Sequence, residues 1–221
     1  MKLLINAVFK FLFGIVLVGL LVFFPAGTFN FYNGWLFCAL LFVPMLFLGA
    51  VLFVKTPELL KKRLDTKEKE TSQKSVVALS GLVFIGGFAV AGLDHRFGFS
   101  RVPLAVVIVA SLLFLLSYGL YAEVMRENAY LSRTVKVQEG QKVIDTGLYS
   151  VVRHPMYGAT VLMFLSIPVI LGSWFSLIVF LAYPFIIAVR IMNEEKLLSE
   201  ELEGYTEYKK RVKYRLIPFI W

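Results

Sequence analysis

The feature that most constrains this chain is the length and spacing of its apolar blocks. Runs with almost no charge cover residues 3–24, 34–54, 75–93 and 102–122, with Lys10 the only charged side chain inside the first. Each has about the twenty residues that a helix needs to cross a ~30 Å hydrocarbon core. In lipid, a spanning segment must satisfy its backbone hydrogen bonds internally, so runs of this kind read as membrane helices. Two shorter runs, 156–171 and 174–189, are separated only by Gly172-Ser173. At 1.5 Å per residue each gives about 24 Å of helix, short for a full crossing. Pro168 and Pro184 add kinks, as does Pro44 in the second run. The pair reads as a tight helical hairpin.

Composition agrees with that class. Of 221 residues, 58% are hydrophobic and only 17% are charged, against about 25% charged in soluble domains. The expected fold is all-α: a polytopic membrane protein of about six membrane helices with a C-terminal hairpin and no Rossmann domain. Gly81, Gly86, Gly87 and Gly92 lie in the third run without the spacing of a dinucleotide fingerprint, and close helix packing accounts for them. The first run is longer than a signal-peptide core and no small-residue cleavage site follows Phe24-Pro25, so it reads as a retained helix. The expected organisation is a four-helix membrane region over 1–122 and a catalytic region over 123–221.

The formal net charge of +8 reads here as the cytoplasmic excess of Lys and Arg found in membrane proteins, not as a nucleic-acid surface. The loop 55–74 holds seven basic and four acidic residues. With that loop in the cytoplasm and six segments, both termini are cytoplasmic, and the opposite face carries only Arg96 and Arg101. Within the loop, Leu59, Leu60 and Leu64 suit either a short interfacial helix or a solvated loop. One cysteine (Cys38) and two distant histidines give no metal-ligand spacing. Cys38 reads as a small buried hydrophobe and His95, beside Asp94 and Arg96, as a residue of the connection 94–101.

The polar stretches 123–155 and 190–215 then share the cytoplasmic face. Thr134 to Gln138 alternates as an extended segment would, and Glu139-Gly140 and Asp145-Thr-Gly147 read as turns. Pro155 fixes a helix start and biases His154 to an extended backbone. Beyond Arg190 the chain reads as a polar helix to Tyr208. Leu198, Leu202, Tyr205, Tyr208 and Val212 form one apolar stripe on it, and Glu207 pairs with Arg211 at i,i+4. A hairpin returns its two ends to one place. Arg153, His154 and Tyr157 at the mouth of one arm should therefore neighbour Arg190 and Glu194, one turn apart on the other. Inward-facing charges at a membrane boundary are functional candidates.

These elements resemble a known family. Val143-Ile-Asp-Thr-Gly-Leu-Tyr149, Arg153-His-Pro-Met-Tyr157, a greasy hairpin, Arg190-Ile-Met-Asn-Glu-Glu195 and Tyr205-Thr-Glu-Tyr-Lys-Lys-Arg211 before Ile217-Pro218 look like the isoprenylcysteine carboxyl methyltransferases. The match runs from about Arg126 to Phe219, and the combination of motifs is what makes it specific. The resemblance implies methyl transfer from S-adenosylmethionine (SAM) to a lipophilic or prenylated acceptor dissolved in the bilayer. It implies cofactor contacts from Gln138, Gln141, Val143, Ile144, Tyr149, His154, Pro155, Met156, Tyr157 and Glu194. Arg190 is expected at the acceptor's carboxylate, with Arg126 assisting. Gln141-Lys142 stands where a His-Thr pair is usual in the eukaryotic members, and Met156 replaces a small polar residue. Two further readings share the architecture: a phospholipid N-methyltransferase and an NADPH-dependent membrane reductase. A membrane scaffold with a basic cytoplasmic face is the non-enzyme alternative.

Overall fold

The computed structural model describes residues 1–65, 71–132, 134 and 137–221, with Thr71 and Ser72 described in their backbone only. Helices dominate, and no strand occurs among the described residues. Five segments are long and apolar enough to cross a membrane. They are α1 (Lys2–Ala26), α2 (Tyr32–Lys55), most of α4 (Thr71–Phe97), α5 (Leu104–Glu127) and the segment Trp174–Glu201. The last comprises α7 (Trp174–Phe180) and α8 (Ala182–Glu201), while α6 (Pro155–Ile170), the other arm of the hairpin, has only 16 residues. The short helices α3 (Pro57–Leu64) and α9 (Tyr205–Arg211) and a 3-10 turn at Gly147–Ser150 complete the described set.

The outward faces are apolar: Phe185 is 75% exposed, Leu104 73% and Val43 67%. In water such a surface would drive association; in a bilayer it is the solvated face. The interior is built from aromatic rings. Phe37, Phe88, Phe114 and Phe180 are fully or almost fully buried. Their centroids lie 5.6 Å (Phe37–Phe88), 6.2 Å (Phe37–Phe114) and 6.0 Å (Phe88–Phe180) apart, the range of favourable edge and tilted contacts. Cys38 is half-buried against this cluster.

Two of the four glycines of α4 are packing positions and two are not. A Cβ at Gly92 would lie 2.8 Å from the Ala26 backbone nitrogen and from Pro25 Cβ, and one at Gly87 would collide with the Phe180 ring. These contacts let α1 and α7 close onto α4. At Gly81 nothing lies within 4 Å, and at Gly86 the nearest atom is at an ordinary 3.8 Å, so close packing does not explain that pair.

The sequence-based expectation of a connection at 94–101 is corrected. Helix α4 continues through Phe97, because Asp94 is held inside the bundle and not at its rim. Its carboxylate accepts hydrogen bonds from the Ser100 backbone N–H (2.7 Å), Ser100 Oγ (2.5 Å) and Ser173 Oγ (2.5 Å). This network ties the α4–α5 connection to the hairpin turn, where Ser173 also caps α7 by accepting from Ser176 N–H. His95 is exposed on the helix, with its ring stacked 4.1 Å from Phe31.

Other expectations are resolved or changed. Within segment 55–74 the short-helix alternative holds: Pro57–Leu64 form α3, with Leu59 and Leu60 buried; residues 66–70 lie outside the described set. The hairpin's second arm is interrupted at Leu181. Pro184 has no N–H for the Phe180 carbonyl four residues earlier, which leaves the helix ladder broken there. The polar helix after Arg190 stops at Glu201, and the chain turns through Gly204 (φ 81°) before α9. The stripe still forms one cluster, Leu202, Tyr205, Tyr208 and Val212 with Leu198 beside it, but two helices and a turn build it. The extended reading of 134–138 falls partly outside the described residues, which lack 135 and 136.

The glycine contrast is testable by thermal unfolding in detergent. Gly87→Ala and Gly92→Ala should each destabilise by about 1–3 kcal/mol, the usual cost of overpacking. Gly81→Ala should be neutral or stabilising, since Gly costs about 0.8–1.0 kcal/mol relative to Ala in a helix.

Candidate active site

The cytoplasmic-side site expected from the sequence grows from one buried junction. Pro155 opens α6 at its first position, with His154 as the residue before it at φ −127°. The chain entering α6 is bonded to the C-terminal tail: Arg153 N–H donates to the Tyr214 carbonyl and His154 N–H to the Arg215 carbonyl, both at 2.9 Å. Arg153 Nη1 reaches the Val212 (2.6 Å) and Lys213 (2.8 Å) carbonyls. Its Nε meets Glu195 Oε1 at 2.6 Å. Glu195, 3% exposed, also contacts His154 Nε2 (3.3 Å) and Arg215 Nε (2.9 Å). A carboxylate taken out of water needs such partners. Here they fasten the start of α6, the middle of α8 and the tail together.

One turn from this junction a second set of polar groups faces a cleft. Arg190 Nε donates to Tyr157 Oη at 2.9 Å, and Tyr157 O–H donates to Glu194 Oε2 at 2.5 Å. Tyr157 therefore bridges the cation and the anion on α8.

The loop between α5 and α6 closes the other side. Leu148 N–H donates to Glu127 Oε2 (3.1 Å), and Asn128 Nδ2 donates to Tyr149 Oη (2.9 Å). Tyr208 O–H, from α9, donates to the Tyr149 carbonyl (2.7 Å). Arg211 pairs with Asp145, not with Glu207 as its spacing suggested, so the pair clamps α9 to the loop. Gly147 (φ 49°) packs so tightly on the Glu127 carboxylate that no Cβ fits there. Helix α3 lies alongside: Arg63 Nη1 donates to Met156 Sδ (3.9 Å) and Lys62 Nζ to the Ala129 carbonyl (3.1 Å).

The cleft so formed holds about 830 Å³ counted out to its open mouth. Gln141, Val143, Ile144, Tyr149, His154, Met156, Tyr157, Arg190 and Glu194 all line it. Gln138, Pro155 and Arg126 do not. Gln138 bonds its side chain to the Tyr130 carbonyl and its N–H to Gln141 Oε1 (2.9 Å), shaping the loop behind the wall. Pro155 sits between two lining residues. Arg126 lies on the exposed end of α5, bonded at two points to Glu123 (2.8 and 2.6 Å).

Sequence reasoning missed part of the wall: Asn128, Tyr130, Leu131, Ser132 and Thr134 after α5, and Leu198, Leu202, Tyr205 and Tyr208. The last four were visible as an apolar stripe, and Tyr205 and Tyr208 also within the family-like motif Tyr205 to Arg211, which are the signals that could have found them. Burial pushes the Tyr149 phenol up to about 12, against the hydrogen bond from Asn128, and raises Tyr205 and Tyr208 as well. These hydroxyls stay protonated, as donors, at neutral pH.

Two outcomes follow. Glu195→Ala leaves two buried or half-buried guanidinium groups without their carboxylate and should cost about 3–5 kcal/mol, read as a lower melting midpoint and a lower yield of folded protein. The raised tyrosines bind protons in the folded state that an unfolded chain, with phenols near pKa ~10, has released. Their contribution is complete below pH ~10 and falls as pH rises above it, that of Tyr149 being lost through about 12, so the melting midpoint should fall across that interval, and less steeply in Tyr149→Phe.

Residues 105–203 match the phospholipid methyltransferase family, a stretch that runs from α5 through the cleft loop and hairpin to just past α8. No curated protein matches the chain. The phospholipid methyltransferases and the isoprenylcysteine carboxyl methyltransferases fall in one clan of integral membrane methyltransferases. The chain is a multi-pass membrane protein whose residues 105–203, which supply most of the cleft, are similar to that methyltransferase family.

Proposed function

We propose that this protein transfers the methyl group of SAM to the carboxylate of a lipid-like or prenylcysteine-like acid at the cytoplasmic membrane surface. The observation that carries the reading is the occupation of the nearby base candidates. His154 and Glu195 are bonded to each other, and Glu195 to Arg153 and Arg215 as well. An amine acceptor must give up a proton to a base. A carboxylate, with pKa ~4, arrives ionised and needs none.

The lining suits SAM. Tyr149, Ile144, Leu198 and Leu202 offer flat or aliphatic surface for a purine, and Glu194 offers an anion for an ammonium or sugar hydroxyls. The buried Tyr205 hydroxyl has no partner among the described residues. When bound, SAM supplies a methyl group on a positively charged sulfur, open to direct displacement. The chain's own part is to hold and orient. Arg190 grips the acceptor carboxylate by charge-assisted hydrogen bonds, and Tyr157 and Glu194 fix its guanidinium. The loop walls flank the reactants, and alignment of the two accounts for most of the acceleration. Arg126, away from the cleft, has no role in this scheme. The C-terminal region from residue 123 is the catalytic part in this reading. Basic α3 and the basic tail support placing the cleft and both termini in the cytoplasm.

A second reading, N-methylation of a phospholipid amine, is favoured by the family matched over 105–203. Glu194, bonded to Tyr157 at the cleft wall, is the base that it would use.

Incubating purified protein with methyl-labelled SAM and a lipid extract tests both. The expected product releases labelled methanol in base; label that survives base selects the amine reading. Arg190→Ala should lower the rate roughly 10- to 100-fold, the worth of a charge-assisted hydrogen bond of about 1.5–3 kcal/mol. Labelling undiminished in both Arg190→Ala and Glu194→Ala would sink the site assignment.

A further inference from the structure

Five tyrosines line the cleft, and four of their hydroxyls are already engaged. Tyr130 O–H donates to the Gly140 carbonyl (3.0 Å), Tyr157 O–H to Glu194 (2.5 Å) and Tyr208 O–H to the Tyr149 carbonyl (2.7 Å), and Tyr149 Oη accepts from Asn128 (2.9 Å). Tyr205 is the exception. Its hydroxyl is buried and meets no hydrogen-bond partner among the described residues, although the residue is only 4% exposed.

A buried hydroxyl without a partner is costly, and native structures seldom keep one without a reason. Tyr205 cannot swing away to find water. Its ring is packed with Leu202, Tyr208 and Val212, with the Tyr208 ring 5.7 Å away. Its position is equally fixed by the chain, since Gly204 (φ 81°) turns the backbone just before it to start α9. Tyr205 is thus held in the cleft wall, with its buried hydroxyl an unused donor. Burial and the nearby Glu194 and Glu195 charges disfavour its ionisation.

We infer that Tyr205 is a ligand-binding residue of the cleft, whose hydroxyl donates a hydrogen bond to an oxygen or nitrogen acceptor of the bound nucleoside cofactor. This rests on the reading of the cleft as a SAM site. It adds a contact from α9 to those from the loop and α8. The orphaned donor has an energetic signature: a penalty in the empty protein and a gain in the loaded one. A purely structural tyrosine has the reverse.

The test compares wild type, Tyr205→Phe and Tyr208→Phe in detergent, using S-adenosylhomocysteine as probe. Thermal unfolding is measured without probe, and affinity by calorimetric titration. Tyr205→Phe should melt at or above the wild-type midpoint when empty, yet bind the probe about five-fold more weakly, the order expected for one hydrogen bond. Tyr208→Phe, which loses its bond to the Tyr149 carbonyl, should melt lower when empty. Equal affinity in Tyr205→Phe overturns the inference, and points instead to a buried water as the hydroxyl's partner. A clear drop in its empty midpoint also overturns it. If wild type itself fails to bind the probe, the cofactor reading falls first and takes this inference with it.

Discussion

Everything around the cleft hangs on the carboxylate of Glu195. It sits on the polar half of α8, almost out of contact with solvent, and draws in Arg153 from the chain before α6, His154 from the helix start and Arg215 from the tail. Burying one ion costs several kcal/mol unless partners surround it, so a single arrangement of three distant segments is selected. Once they meet, the neighbouring positions follow from helix geometry. Tyr157 lies on the first turn of α6, and Arg190 and Glu194 lie just before Glu195 on α8. The bridge from Arg190 through Tyr157 to Glu194 is therefore a consequence of the junction beside it.

The two ends of the bundle use different chemistry for the same purpose. On the far side, Asp94 and the serines at 100, 173 and 176 satisfy one another and the Gly87 carbonyl. That polar set pins the hairpin turn to α4. Between the two ends lie rings and glycines, with α4 drawn against α1 and α7. A rigid middle with a fixed far end leaves the hairpin's open mouth as the place where polar side chains are presented.

Much of this was legible before the structure, and for identifiable reasons. Proline at the first helical position marks the start of α6, and a two-residue Gly172-Ser173 turn forces the hairpin's ends together. The neighbourhood of His154, Tyr157, Arg190 and Glu194 was thus readable from local rules. Arg126 was not, because its nearest carboxylate is Glu123, one turn away on its own helix, and a motif match says nothing about which way a side chain turns. The break at Gly204 was hidden for a related reason: Leu202, Tyr205 and Tyr208 keep helical spacing across it, so periodicity alone reads one helix. Asp94 looked like a loop residue because Ser173, the partner that ties it to the hairpin, is far away in sequence. Nothing local announces that a carboxylate will be buried.

The unequal arms of the hairpin carry a mechanical consequence. Helix α6 has 16 residues, about 24 Å, whereas the segment opposite it has 28, about 42 Å. A hydrocarbon layer of ~30 Å is some 6 Å too thick for the short arm. Every residue of α6 is buried or half-buried, so other helices surround the short arm and its end can sit sunken beneath the headgroups without thinning the bilayer. A sunken end at Pro155 shortens the climb for a molecule dissolved among the acyl chains: the floor of the cleft is lowered toward it.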